Sequence, residues 1–536
     1  MLRLSRWITS SLGAAAVAAA GFAATPDPSL PRIVSENGRH ALIVDGAPFV
    51  ILGGQCHNSS AWPATLPQVW EAIAAVHANT LEVPISWEQF EPEPGHFDYS
   101  IVDLLLQQAR ERQVRLVLLW FGTWKNGSAH YLPLWLKTGP NRYARIVDRE
   151  GRAVDSPSPH SSTQLAADTR AFTALMQHLK QADSQHTVIM VQVENEPGAW
   201  NAVRDFSPDA QQLFAAPVPE ALLNRLGLGA RKGEAWGAVF GANADEYFHA
   251  WSVARFIGQV AAAGKAVHPL PLYVNAALRD PLTNPPAGTY ESGGPTDNVL
   301  DIWKAAAPAI DLLAPDIYQP EPAKYQKVLE LYARPDNPLF VPETISAPLF
   351  SKYCYSALAR GAIGWSPFGL DSPRRLGPAP IDPNEPDALA VTYAALSASN
   401  REVARLGFAG KLHALVEEKG EVTQSVTVGT WQVTVTYGVP AFGFGREPKG
   451  NAEPVGRALI GEIGPDEFLV TGYRCRIDFR PADQTSRAQR EFVRVEEGAF
   501  APAGFKAVRI WNGDETDWGL NFHATPQMLH VRLGTF

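Results

Sequence analysis

Basic charge is in short supply in this sequence. Lysine and arginine total 46 against 55 acidic residues, giving a formal charge of -9 and a pI near 5.8, and a polyanion needs a basic surface to bind to. The balance argues against a nucleic-acid partner. Cysteine is scarcer: Cys56, Cys354 and Cys475 lie far apart, leave at least one thiol unpaired and show no metal-ligand spacing, so all three read as small buried residues. There is no low-complexity linker, no repeat of fixed period, no Gly-rich phosphate loop, no zinc-spaced histidine pair and no nucleophile elbow. The expectation is therefore no cofactor and no metal.

Apolar material is plentiful. At 536 residues, with 46% hydrophobic and 19% charged residues, the chain exceeds one ordinary core and predicts two or more domains. Its first stretch, "MLRLSRWITSSLGAAAVAAAGFAATPDPS", places Arg3 and Arg6 before an Ala-rich apolar run and small residues. That order predicts an export signal over 1–24 and a periplasmic or extracellular protein with no stable membrane insertion.

From residue 49 to 369 short apolar runs alternate with helical patterns. The runs are 49–54, 80–87, 115–122, 187–193, 271–278, 310–318, 338–344 and 361–369. Eight such units predict a parallel sheet closed into a (β/α)8 barrel within residues 25–405. In "SIVDLLLQQARERQ", Ser100 followed by Asp103 reads as a helix start. Beyond 405 the texture changes: "EVTQSVTVGTWQVTVTYG" alternates strictly, with Trp431, Val433, Val435 and Tyr437 on one face. Residues 406–536 are thus expected to form a smaller all-β sandwich, read either as a sugar-binding module or as a stabilising domain.

In such a barrel the chemistry lies at the carboxyl ends of the strands. "TVIMVQVENEPG" runs a β-branched strand straight into Glu194, Asn195 and Glu196, and "FVPETIS" delivers Glu343 from the seventh strand. Cleavage of a glycosidic bond with retained configuration needs two carboxyl groups about 5 to 5.5 Å apart, one protonating the departing oxygen and one meeting the anomeric carbon. Glu196 and Glu343 are the expected catalytic pair, acid/base and nucleophile. Strand periodicity sets Glu194 one layer beneath Glu196, in a structural role. Tyr318 or Asn275 is expected to donate to Glu343, and Asn195 to donate to a sugar hydroxyl.

"QVENEPG" resembles the strand-four element of the retaining clan of (β/α)8 glycosidases, and of family 35 β-galactosidases in particular. "SWEQFEPEPGHFDYS" is similar to that family's strand-two segment, and "FVPETI" to its nucleophile strand. The likeness spans roughly residues 40–370, and the chain looks more like a bacterial subgroup with a single β-sandwich after the barrel. It implies an exo-acting β-galactosidase releasing terminal β-galactosyl residues, with xyloglucan side chains as one substrate class. The family's Cys-Ala-Glu-Trp element after strand three is replaced by "GTWKNGSAHYLPLWL", so its galactose-contacting Glu is missing, with Asn126 or Lys125 as substitute. Trp365 resembles the clan's strand-eight Trp that floors the sugar site; the alternative is a barrel-core aromatic.

His57 reads as a sugar contact or a structural hydrogen bonder, and Tyr318 otherwise caps the barrel. Glu91 reads as a loop salt-bridge partner, and Trp87, Trp120 and Trp124 as walls for further sugars or as packing. Two other readings stand beside the galactosidase. One is the same fold acting on a glucoside or mannoside; the other is a carbohydrate-binding protein without turnover.

Overall fold

Chain segments rich in Val, Leu and Ile pair side by side in parallel, because each strand is buried on both faces and only a closed or helix-covered sheet satisfies that. The computed structural model describes residues 29–139, 142–372, 387–438, 449–483, 485 and 487–536. The export signal expected over 1–24 lies outside them.

Three short strands come first: β1 (Arg32–Glu36), β2 (Arg39–Val44) and β3 (Ala47–Phe49), an antiparallel sheet. They are joined by Asn37-Gly38 and Asp45-Gly46, all four with positive φ, the chemistry that two-residue hairpin loops demand. The barrel strands follow: β4 (Ile51–Gln55), β5 (Thr80–Ser86) and β6 (Arg115–Lys125); a small hairpin, β7 (Arg145–Val147) and β8 (Ala153–Pro157); then β9 (Val188–Asn195), β10 (Leu272–Ala277), β11 (Leu312–Ile317), β12 (Glu343–Thr344) and β13 (Gly364–Trp365).

The eight-stranded parallel sheet has the order β12-β11-β10-β9-β6-β5-β4-β13. A parallel bridge between Val341 and Trp365 joins its ends, with the Ile363 N–H donating to the Leu339 carbonyl at 2.8 Å. All eight expected strands are present and the ring closes. Val117, Leu119, Phe121, Ile189, Tyr273, Leu312 and Phe340 form one buried cluster with Leu42, Val44 and Phe49, so the first sheet packs onto the barrel interior. The helix expected at Ser100 is present as Ser100–Arg112, but its first turn is capped by Asp98, whose Oδ1 accepts from the Ser100 N–H at 2.8 Å.

Two helices, Ala388–Ser397 and Asn400–Phe408, lead from the barrel to a set of antiparallel strands. These are β14 (Leu412–Val416), β15 (Thr423–Val428), β16 (Trp431–Tyr437), β17 (Arg457–Gly464), β18 (Glu467–Tyr473), β19 (Cys475–Pro481), β20 (Arg490–Ala501), β21 (Gly504–Ile510), β22 (Leu520–Phe522) and β23 (Leu529–Thr535). They form sheets ordered β14-β17-β18-β23-β20-β21 and β15-β16-β19-β22. Trp431, Val433, Val435 and Tyr437 all face inward, meeting Phe468, Val470 and Val531 of the other sheet. The sandwich is fastened to the barrel side by Arg457. Its buried guanidinium donates to the Ala388 carbonyl at 2.8 Å and to Thr392 Oγ1 at 2.5 Å, and stacks on Tyr473.

Candidate active site

Strand alternation would carry residues 192, 194 and 196 to one side of β9, but the chain departs from it where the strand ends. Glu194 and Glu196 both have left-handed backbone, φ 66° and 40°, and the β6–β9 pairing slips between Trp120 and Lys125. Glu194 is therefore turned toward the helices rather than stacked beneath Glu196, which corrects the periodicity reading. It stays buried, accepting from the Trp124 N–H at 2.7 Å and sharing a hydrogen bond with Asp168 of helix Ser162–Ala182. Burial, then the Asp168 charge, pushes the Glu194 carboxyl well up. Backbone strain of this kind concentrates where a side chain must be aimed against the local pattern. Here it frees Asn195 and Glu196 to face the mouth.

Glu343, at the start of β12, is 4% exposed. Its Oε1 accepts from Gln55 Nε2 at 2.9 Å and Asn195 Nδ2 at 3.3 Å, and its Oε2 from Tyr318 Oη at 2.8 Å. Three donors converging on one carboxylate suit an anion. Glu196 has a different setting. Its N–H donates to Asn275 Oδ1 at 2.8 Å, while burial first, and then the Glu343 charge, raises its carboxyl to about 7; Lys125 and Asp316 pull the other way. One oxygen each of Glu196, Glu343 and Asp316 lie within 4.8 Å of one another. Two carboxyl groups in one pocket, one provided with donors and one kept from ionising, can divide acid and nucleophile roles. Among the described residues this trio is the acidic cluster tight enough to hold a cation. With Glu343 already supplied by three donors, its chemistry favours proton transfer.

The other expected residues fall into three groups. Tyr318 and Asn195 touch Glu343 directly. Asn275 does not donate to Glu343; it bridges the Glu196 backbone to Asp316, its Nδ2 donating to Asp316 Oδ2 at 2.6 Å. Lys125 is buried behind Asn195, donating to Asn195 Oδ1 at 2.7 Å and to Asn126 Oδ1, while Asn126 is itself exposed at the rim. His57 is half-buried after β4, its ring edge-on to Phe368 at 5.0 Å and its N–H donating to Asp371.

Trp365 does not floor the pocket. It is 1% exposed, packs with Tyr325 and Tyr393 in the layer between barrel and helices, and donates from Nε1 to Tyr325 Oη at 2.9 Å. The two-residue strand β13 turns its side chain outward, and that is the barrel-core alternative. Trp87, Trp120 and Trp124 are likewise fully buried. Glu91 pairs with Arg170 at 2.6 Å, accepts from Trp87 Nε1 and takes no part in the site. The three cysteines are buried and unpaired.

Several residues carried no signal strong enough to be singled out. Asp316, in "PDIYQP", and Gln55, in "GGQCHN", were visible only as polar strand ends. Glu82 lies inside β5, where an apolar run hid it; it is fully buried, hydrogen-bonded to Tyr273, and pushed well up by burial. Glu291, on a loop far along the chain, is 2% exposed, and both its oxygens lack a hydrogen-bond partner among the described residues. It lies against Gly127 and beside Trp200. Trp200 and Trp62 are exposed indoles on the loops after β9 and β4; "NEPGAW" was the signal for the first.

Residues 41–249 match the model of glycosyl hydrolases family 35, and residues 389–523 match a domain of unknown function, DUF5597. A beta-galactosidase of Xanthomonas manihotis is 26% identical over 39% of this chain and 34% of its own length. Beta-galactosidase 14 of Arabidopsis thaliana is 24% identical over 31% of this chain and 18% of its own. The matched region thus spans about a third or less of these relatives. A solved cold-adapted beta-galactosidase from Rahnella sp. R3 superposes with a TM-score of 0.47 at 16% identity, covering 67% of this chain and 58% of that one. The chain is thus similar to glycosyl hydrolases family 35 through residues 41–249 and to DUF5597 through residues 389–523.

Proposed function

We propose that the protein is a retaining, exo-acting β-galactosidase that removes terminal β-D-galactosyl residues, xyloglucan side chains among them, by double displacement. The observation that carries the reading is the separation of Glu196 and Glu343. Carboxyl oxygens within 4.8 Å suit direct attack on the anomeric carbon, whereas an inverting enzyme needs about 6.5 to 9.5 Å to fit a water between its carboxyl groups. Glu343, ionised among Gln55, Asn195 and Tyr318, attacks the anomeric carbon while Glu196 gives its proton to the departing oxygen. Once Glu343 is esterified its charge no longer opposes ionisation of Glu196, which then takes a proton from the incoming water.

Galactose as the sugar is supported by the family match and by the names of the relatives. One observation favours a second reading: Lys125 and Asn126 occupy the strand-three end where the family has a glutamate, so another β-glycoside is the alternative. A panel of nitrophenyl β-glycosides separates the two. Fastest turnover of the galactoside supports the first, and equal or faster turnover of glucoside or mannoside overturns it. Glu343→Ala should lose at least about 10⁴-fold in kcat, with partial rescue by azide giving the α-galactosyl azide. Undiminished hydrolysis by that variant rejects the assignment. The reading also has the protein exported, as its first residues favour. No helix among the described residues is long and apolar enough to cross a membrane.

A further inference from the structure

Asp316 ends β11 beside the two glutamates, and nothing in the double-displacement scheme calls for a third carboxyl group. It is 2% exposed. Oδ2 is occupied by the Asn275 amide at 2.6 Å, and Oδ1 meets no donor among the described residues. The same Asn275 accepts from the Glu196 N–H at 2.8 Å, so a single amide sets the position of both acidic residues. One carboxyl oxygen of each lies within 4.8 Å of the other, near enough for a hydrogen bond between the two side chains once a proton is shared. Two carboxyl groups bond to each other only if at least one carries a proton.

We propose that Asp316 is a positioning residue that stays protonated and gives Glu196 a hydrogen bond that strengthens as Glu196 ionises. This rests on the glycosidase reading above. In the first step the Glu196 O–H bond breaks, the proton bonds to the departing oxygen, and the electron pair stays on Glu196. Asp316 keeps its proton and turns a neutral hydrogen bond into a charge-assisted one, roughly twice as strong. In the second step water gives a proton to Glu196, and the bond relaxes. No proton leaves Asp316 and none is gained. A bond stronger in the charge-separated state than in the ground state lowers the barrier rather than only KM.

The surroundings support a neutral Asp316. Burial, the Glu343 charge and then the Glu196 charge push its carboxyl well up, and Lys125 alone opposes them. The remaining titratable groups facing it are Tyr273 of β10, Tyr318 just after β11, and Tyr332 at the end of helix Pro322–Tyr332; all three hydroxyls are pushed well up and remain neutral.

The full-length protein is first shown to hydrolyse a nitrophenyl β-galactoside; failure there removes the glycosidase reading itself. Asp316→Ala is then compared with wild type on an alkyl β-galactoside, whose departure needs the acid, and on the dinitrophenyl galactoside, which departs unaided. The expected loss is about 10- to 100-fold in kcat on the alkyl substrate and less than about threefold on the dinitrophenyl one, with the basic limb of kcat/KM moved to higher pH. Asp316→Asn, a neutral donor of the same shape, should restore most of the lost rate. Equal losses on both substrates, or an Asn variant as impaired as the Ala variant, overturn the proposal. If Asp316→Ala fails to fold, the Asn variant decides alone: near-normal rates on the alkyl substrate support a protonated Asp316, and a collapse on that substrate contradicts it.

Discussion

At the scale of single residues, one carboxyl group sets both a pH limit and a stability cost. Glu196 is raised to about 7 by burial and by Glu343, so kcat/KM is expected to fall as pH rises through about 7, where the acid form is lost. A pH–rate profile of the wild type checks this, and a basic limb at the usual carboxylate value would contradict it. The same shift affects folding. The folded state holds the Glu196 proton to about 7 whereas the unfolded chain releases it near 4.5, so stability is lost as pH rises through that window. The loss at pH 8 is on the order of 3 kcal/mol. Glu196→Gln cannot ionise, and should be inactive on poor leaving groups yet melt higher than wild type at pH 8, with the difference vanishing near pH 4.5. Thermal scans at the two pH values test it. The pocket is thereby less stable than its neutral variant, the trade expected if its chemistry needs a buried charge.

At the scale of elements, the end of β9 decides what the site contains. The run Val188–Val193 lies in a buried strand, with Glu196 directly after β9 and Glu343 opening the two-residue β12. What spacing did not supply was direction. Left-handed backbone at Glu194 and Glu196 overrides the two-residue period, and it is sustained by contacts distant in sequence: Asp168, held by Trp120 Nε1 at 2.9 Å and Thr123 Oγ1 at 2.5 Å, fixes Glu194. Asp168→Ala should therefore lower kcat as well as stability, by about 2 to 4 kcal/mol for the buried network, although it lies outside the pocket. Denaturant melts alongside kcat measure the two effects, and unaltered kcat would show that β9 keeps its end without this support. Gly127 is a second dependence. Its φ is 68° and a Cβ there would run into the Glu291 carboxylate, so Gly127→Ala should cost about 2 kcal/mol or more and disturb the backbone bond from Gly127 to the Glu196 carbonyl, 3.0 Å.

At the scale of the molecule, barrel and sandwich share packing. Leu412, Leu459, Leu469 and Met528 belong to the same buried cluster as the barrel's outer layer, and Arg457 ties β17 to the helix before the sandwich. One cooperative thermal transition is expected, with Arg457→Ala lowering it by about 2 to 4 kcal/mol through unpaired carbonyls and lost packing. Two separated calorimetric peaks in the wild type would contradict that coupling. The alternation of apolar runs and helices made the barrel legible because eight repetitions agree with one another. The β1–β3 sheet is hard to see in the sequence although Asn37-Gly38 and Asp45-Gly46 announce its turns, since its strands are too short to stand out beside the barrel runs. The aromatic residues were the least legible, because a Trp at a strand end reads alike whether it faces sugar or helix. Trp365 faces helix, while the exposed Trp62 and Trp200 lie in loops.

The division of labour between the two glutamates is tested most directly by trapping. Incubation with a 2-deoxy-2-fluoro-β-galactosyl donor bearing a dinitrophenyl leaving group, followed by peptide mass spectrometry, should place one fluorogalactosyl adduct on Glu343 and none on Glu196. An adduct on another carboxylate, or turnover to product of inverted configuration with no adduct, would contradict the account.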